Sequence, residues 1–122
     1  MSVGQKGEET VLNHYLSQNF LLISRNFQYY RKGQSGRQGE IDLIFTKDNK
    51  LFLVEVKTRT NQKFGLAINQ INATKIKNLF KTYIYFVNKF PQFKQFVVQV
   101  DIATIDSGIL SITPNAITFD SF

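Results

Sequence analysis

Two apolar runs flank the pair Asp48-Asn49: residues 40–47 (EIDLIFTK) and 50–58 (KLFLVEVKT). Asp and Asn tolerate the left-handed conformations of a tight turn, so the pattern predicts a β-hairpin. Strand side chains alternate between faces. Ile41, Leu43 and Phe45 are thus expected on one face with Phe52, Val54 and Val56, all apolar. The other face is apolar near the turn and charged away from it. A two- or four-residue loop makes paired positions sum to 97. Ile44 then faces Leu53, Asp42 faces Glu55 and Glu40 faces Lys57, with all six side chains on one side. A three-residue loop would break this register.

Carboxylates directly opposite each other destabilise a sheet unless something neutralises them. A divalent cation such as Mg²⁺ or Mn²⁺ does so, and Lys57 adds positive charge two residues on. Metal plus lysine suits phosphodiester hydrolysis, because the metal activates water and both stabilise charge on phosphate oxygens. The plainer reading is a solvated strand end with an incidental salt bridge. The apolar lead-in on both strands argues for a hairpin covered on both faces, where buried carboxylates need partners. The residues alone leave these two readings level.

Composition removes other chemistries. The chain of 122 residues has no Cys and a single His, His14. Cys-ligated zinc, iron–sulfur clusters, a thiol nucleophile, His-rich metal sites and a Ser-His-Asp triad are excluded. Net charge is +6, and its distribution is uneven. Residues 1–55 carry seven basic and six acidic groups, residues 56–100 eight basic and no acidic groups, and residues 101–122 three acidic groups and no basic one. An acid-free stretch of this kind suits a polyanion, nucleic acid before anionic membrane, although a modest positive charge also serves solubility. No run reaches the roughly 18 apolar residues of a membrane span. The N-terminus lacks the basic start and apolar core of a signal peptide, so a cytoplasmic location is expected.

A helix opens near Gly7-Glu8-Glu9-Thr10 and ends at Asn19 or Phe20, with an apolar stripe of Val11, Leu12, Tyr15 and Leu16. His14 falls beside that stripe. Residues 20–30 read as a strand. Residues 31–39 read as a basic, glycine-rich loop without the Gly-Lys-Ser/Thr of a phosphate-binding P-loop. After the hairpin come a loop over 59–69 and an amphipathic helix over 70–89, which Pro91 bars from continuing. Strands over 95–105 and 109–113 flank the turn Asp106-Ser107-Gly108, and 116–119 adds an edge piece. The order α-β-β-β-α-β-β predicts one α/β domain over 1–122, with a mixed sheet. Arg59, Lys63 and Lys75 are natural phosphate contacts, with a solvated surface as the bland alternative. Tyr29, Tyr30, Arg31 and Lys32 set aromatics beside cations, a combination that stacks single-stranded bases, although a strand tyrosine more often packs. The Phe-rich segment 86–96 is either core or a dimerisation patch.

Gly4-x-x-Gly7-Glu8, Gly39-Glu40-Ile41-Asp42-Leu43-Ile44, Val54-Glu55-Val56-Lys57-Thr58-Arg59, Phe64-Gly65 and Lys75 occur in this order over nearly the whole chain. In this the sequence resembles the YraN-type family of small bacterial proteins, predicted endonucleases of the restriction-endonuclease-like PD-(D/E)xK superfamily, distantly similar to archaeal Holliday-junction resolvases. The resemblance implies a restriction-endonuclease-like αβββαβ core, a mixed central sheet flanked by helices. It implies Asp42 and Glu55 as ligands of Mg²⁺ or Mn²⁺, the Val56 carbonyl as a third ligand, and Lys57 as the catalytic lysine. Glu8 matches a carboxylate that joins this site in resolvase-like relatives. Glu40, set across from Lys57 by the register, would either orient that lysine or stand only behind the metal ligands. Cleavage of DNA, branched or structured DNA included, and a homodimer are further implications. A non-catalytic nucleic-acid-binding or protein-interaction module that keeps the fold is the rival expectation.

Overall fold

The computed structural model describes residues 2–59 and 72–119. The elements are α1 (Val3–Ser17), β1 (Leu21–Tyr29), β2 (Gly39–Lys47), β3 (Lys50–Arg59), α2 (Ala73–Lys89), a 3₁₀ turn (Pro91–Phe93), β4 (Val97–Asp106) and β5 (Ile109–Ile117). The order is the predicted one. One five-stranded sheet runs β1-β2-β3-β4-β5. Its pairs are antiparallel except β3–β4, which is parallel and is linked through α2. The two helices cover opposite faces. Val11, Leu12 and Tyr15 of α1 pack on Leu43, Phe45, Phe52 and Val54. Leu79, Phe86 and Val87 of α2 pack on Ile41, Ile44, Leu51 and Leu53.

Helix α1 begins four residues before the expected start. Ser2 caps it, accepting from the Gln5 N–H at 3.1 Å, while Gln5 Oε1 accepts from the Ser2 N–H at 2.9 Å. This reciprocal box satisfies two otherwise orphaned donors. The Gly4-x-x-Gly7 motif divides in two: a Cβ on Gly4 would make only an ordinary contact with the Ser2 hydroxyl, whereas one on Gly7 would collide with the Thr58 hydroxyl. Only hydrogen at Gly7 lets α1 sit this close to β3, and that approach sets the position of Glu8. Leu16 is exposed, outside the stripe assigned to it, and His14 is exposed with its ring edge-on to Tyr15.

Helix α2 starts at Ala73, not residue 70, because the Asn72 side chain caps it by accepting from the Lys75 N–H at 3.0 Å. The Phe-rich segment is core. Phe86, Phe90, Phe93 and Phe96 form a chain of ring contacts with centroids 5.1–5.6 Å apart, and all pack in the α2 cluster. At the far edge, 109–113 and the expected piece at 116–119 join into the single strand β5, whose register against β4 shifts between Val100 and Ile102.

The hairpin turn is as read. Asp48 and Asn49 both have positive φ, 53° and 63°, the two-residue arrangement that matches strand twist. The register sums to 97 from Lys47↔Lys50 to Leu43↔Val54. There the ladder stops, so Asp42 is not paired opposite Glu55, nor Glu40 opposite Lys57. Instead β3 continues beside β4 to Arg59↔Asp106. Strict alternation also fails at this point, because Ile41 joins Ile44 under α2 while Leu43 and Phe45 lie under α1. On the neighbouring strand Asn26 has φ 53°, so the irregularity is shared by β1 and β2.

Asp101, 3% exposed on β4, anchors three elements. It accepts from the Tyr15 hydroxyl at 2.7 Å, Gln99 Nε2 at 2.9 Å and the Asn115 N–H at 3.0 Å. Burial and the Asp101 carboxylate together raise the Tyr15 hydroxyl pKa well above its ordinary value. Removing one partner of a buried charged acceptor costs about 1–3 kcal/mol. Tyr15→Phe is therefore expected to lower the melting temperature by several degrees. An unchanged thermal melt would show that this bond contributes nothing net.

Candidate active site

Where β2 and β3 part, their ends and the first turns of α2 enclose a cleft of about 420 Å³. Its lining includes Glu40, Asp42, Glu55, Val56, Lys57 and Lys75. Asp42 stands in for the missing ladder: its Oδ2 accepts from the Val56 N–H at 2.8 Å. A side chain thus satisfies a backbone donor that the divergence would otherwise strand. The same bond fixes the Asp42 carboxylate beside the Val56 peptide, in the cleft that Glu55 also lines.

Two half-buried carboxyls in one cleft resist ionisation. Burial raises the Asp42 pKa most, the Val56 N–H opposes this, and the charge of Glu40 adds to the rise. Burial, then the charge of Asp42, pushes Glu55 up to about 7. Lys57 Nζ lies 3.4 Å from Glu55 Oε1 and offsets only part of that rise. For Lys57 itself burial acts downward, but contact with Lys75 and the charge of Glu55 outweigh it, so its pKa is raised. Lys75 is lowered, first by contact with the Lys57 ammonium and then by burial. Lys57 is accordingly the better proton holder of the pair.

The other expected residues divide. Glu40 does not meet Lys57. Arg37, three residues away, holds it at 2.6 Å instead. Glu8 stands outside the cleft lining, yet its pKa is raised by burial and then by the charges of Asp42 and Glu40. With its amide oriented to satisfy both neighbours, Asn26 donates to Glu8 Oε1 and Glu40 Oε1, each at 3.1 Å. Asn26 was not singled out from the sequence, where only an amide interrupting a strand marks it. Lys75 is in the cleft, paired with Lys57. Arg59 is not, because it lines a shallow groove with Lys6 and Thr10 at the start of α1. Lys63 and Phe64-Gly65 lie outside the described residues. Among the described residues no helix is long and apolar enough to cross a membrane.

The donor set fits a hard divalent cation. The Asp42 and Glu55 carboxylates would offer it all-oxygen ligands, as Mg²⁺ and Mn²⁺ prefer. Among the described residues no group of three or more His, Asp or Glu side chains is placed to hold a metal ion. An open set of this kind suits Mg²⁺, which keeps waters and substrate phosphates in its shell.

A family model described as "Uncharacterised protein family UPF0102" matches residues 7–105. A UPF0102 protein of Acinetobacter baumannii (strain AYE) is 31% identical over 104 residues, 85% of this chain and 73% of the relative. One of Petrotoga mobilis is 30% identical over 112 residues, 91% of this chain and 93% of the relative. Among solved structures, that of Hjc, a Holliday junction resolvase of Archaeoglobus fulgidus, matches with a TM-score of 0.54 at 16% identity, over 95% of this chain and 83% of that one. The sheet and helices described above are thus a resolvase-like, nuclease-like fold.

Proposed function

Because this chain belongs to the uncharacterised protein family UPF0102 and has a resolvase-like fold, we propose that it is a divalent-metal-dependent endonuclease hydrolysing phosphodiester bonds of DNA, branched DNA included. The observation that carries this reading is that Asp42 and Glu55 line one open cleft, with Lys57 3.4 Å from Glu55. A module that only binds DNA gains nothing from paired carboxylates facing a phosphate backbone.

Asp42, Glu55 and the Val56 carbonyl would hold Mg²⁺ or Mn²⁺. When bound, the ion supplies an acidified water and charge stabilisation on the phosphate. The Val56 N–H holds Asp42 in place for this role, so its carboxylate does not have to be ordered on binding. Lys57 keeps its proton and presents an ammonium to the phosphate oxygens, where a preformed positive charge stabilises developing negative charge. Glu8 and Glu40 act from behind, tied together through Asn26, and add to the negative field that attracts the cation. Lys75 supports Lys57 at the mouth of the cleft. Cutting both strands of a two-fold junction would need two copies of this site, which a homodimer supplies.

The test is cleavage. Purified protein is incubated with supercoiled, single-stranded and four-way-junction DNA in Mn²⁺, Mg²⁺ or EDTA, with Lys57→Ala alongside. Metal-dependent cuts, slowed in Lys57→Ala by about 10²-fold or more, are expected. DNA binding without cleavage in any metal, or cleavage indifferent to Lys57→Ala, would overturn the reading.

A further inference from the structure

A second groove of about 390 Å³ adjoins the acidic cleft. The two share Gln38 and Asn78 in their walls. Their chemistry differs sharply. The cleft holds three carboxylates, whereas the groove is lined by Arg31, Lys81, Tyr29 and Tyr85 and, among the described residues, by no carboxylate. The rings of Tyr29, on β1, and Tyr85, on α2, lie 4.7 Å apart at 34°. Both are half-buried, while Arg31 and Lys81 are exposed.

Packing explains one side of this ring pair, since Tyr85 also meets Phe27, with centroids 5.9 Å apart. It does not explain two cations beside an aromatic wall that runs on from a phosphodiester site. A strand passing over Gln38 and Asn78 would leave the acidic cleft and meet cations for its next phosphates and rings for its next bases. Duplex DNA would present only its backbone here and leave the rings without base faces. The geometry points to this groove as the site for unpaired nucleotides flanking the bond to be cut, with a base stacked against the Tyr29–Tyr85 pair and Arg31 and Lys81 on the adjoining phosphates. This assignment rests on the nuclease reading for its direction but predicts binding that needs no catalysis.

The chain has five Tyr and no Trp, so its intrinsic emission reports tyrosine stacking. In EDTA, (dT)₁₂ is expected to quench that emission and to bind more tightly than a duplex of equal length. Loss of one stacked base costs about tenfold in affinity, at the lower end of measured stacking energies. Tyr85→Leu is expected to lose about that much for (dT)₁₂ and less than about twofold for duplex, while Tyr85→Phe restores binding. Lys81→Ala, on an exposed side chain, should lower the single-strand salt slope by about 0.7, and it keeps the test decisive if Tyr85→Leu fails to fold. Equal losses for single strand and duplex, or none for either, would overturn the groove even if the protein cleaves DNA. Tyrosine-dependent (dT)₁₂ binding by a protein that cleaves nothing would keep the groove and sink the nuclease.

Discussion

Glu55→Gln is expected to raise the melting temperature of the metal-free protein at pH 8 while abolishing cleavage. Glu55 has its pKa pushed up to about 7 by burial and by Asp42, from an ordinary value of 4.5. A carboxyl raised in the folded state contributes stability that is complete below the unfolded value and lost as pH rises through the folded one. Between pH 4.5 and about 7, the metal-free protein therefore spends stability on ionising this group. The full shift corresponds to a ceiling of about 3 kcal/mol. Lys57 at 3.4 Å is already counted in that shift and does not cancel it. Glutamine removes the ionisation, so the gap between variant and wild type should be negligible at pH 4 and open towards pH 8. Thermal melts in EDTA at a series of pH values read it directly. Mn²⁺ should reverse the order, because an ion bound only by the folded wild type stabilises it in proportion to its occupancy. A variant less stable than wild type at pH 8 in EDTA would mean that Lys57 holds the carboxylate charged without penalty.

Asp42 separates a ligand's two duties. Asp42→Asn keeps an oxygen for the Val56 N–H and loses the charge, whereas Asp42→Ala loses both. Both variants are expected to lose cleavage by about 10³-fold or more, the scale of removing a preorganised electrostatic group. Neither should gain in melting temperature from Mn²⁺. In EDTA the alanine variant should be less stable than the asparagine variant by about 1–2 kcal/mol, the cost of leaving a half-buried donor without its acceptor. Equal stability of the two would show that water replaces the carboxylate at no cost, and residual Mn²⁺-dependent cleavage in both would remove Asp42 from the site.

The hairpin was the legible part. The φ values at Asp48 and Asn49 and five paired positions follow from the turn residues and alternation alone. The limit of the ladder was not legible, because it coincides with a break in β2 alternation opposite the left-handed Asn26 of β1, which neither turn residues nor periodicity encode. Face alternation failed at the same place, so Ile41 changed sides and Glu40 lost its expected contact with Lys57. Arg37 captured Glu40 instead, since the preceding loop returns within three residues. Arg59 stands apart from the cleft because β3 runs past it, and its last residue reaches the start of α1. The Ser2–Gln5 and Asn72 caps rest on residue types that mark helix starts, and they shift both starts. Asn26 carried no such signal, because its role exists only once Glu8 and Glu40 have been brought to either side of it.

The two outer strands of the sheet have a consequence for self-association. Among the described residues β1 and β5 each have a strand neighbour on one side only, and such an edge is the usual template on which a second sheet adds. Neither edge is straight. β1 is irregular between Leu22 and Ser24 and turns left-handed at Asn26. β5 shifts register, contains Pro114 without an N–H, and turns left-handed at Asn115. A copy trying to extend the sheet along either rim would meet a missing donor or a kinked neighbour within a few residues. The irregularities that tie Glu8 to Glu40 and Asp101 to Asn115 therefore also guard against runaway fibre growth, and they leave any pairing of two copies to side chains on the molecule's faces.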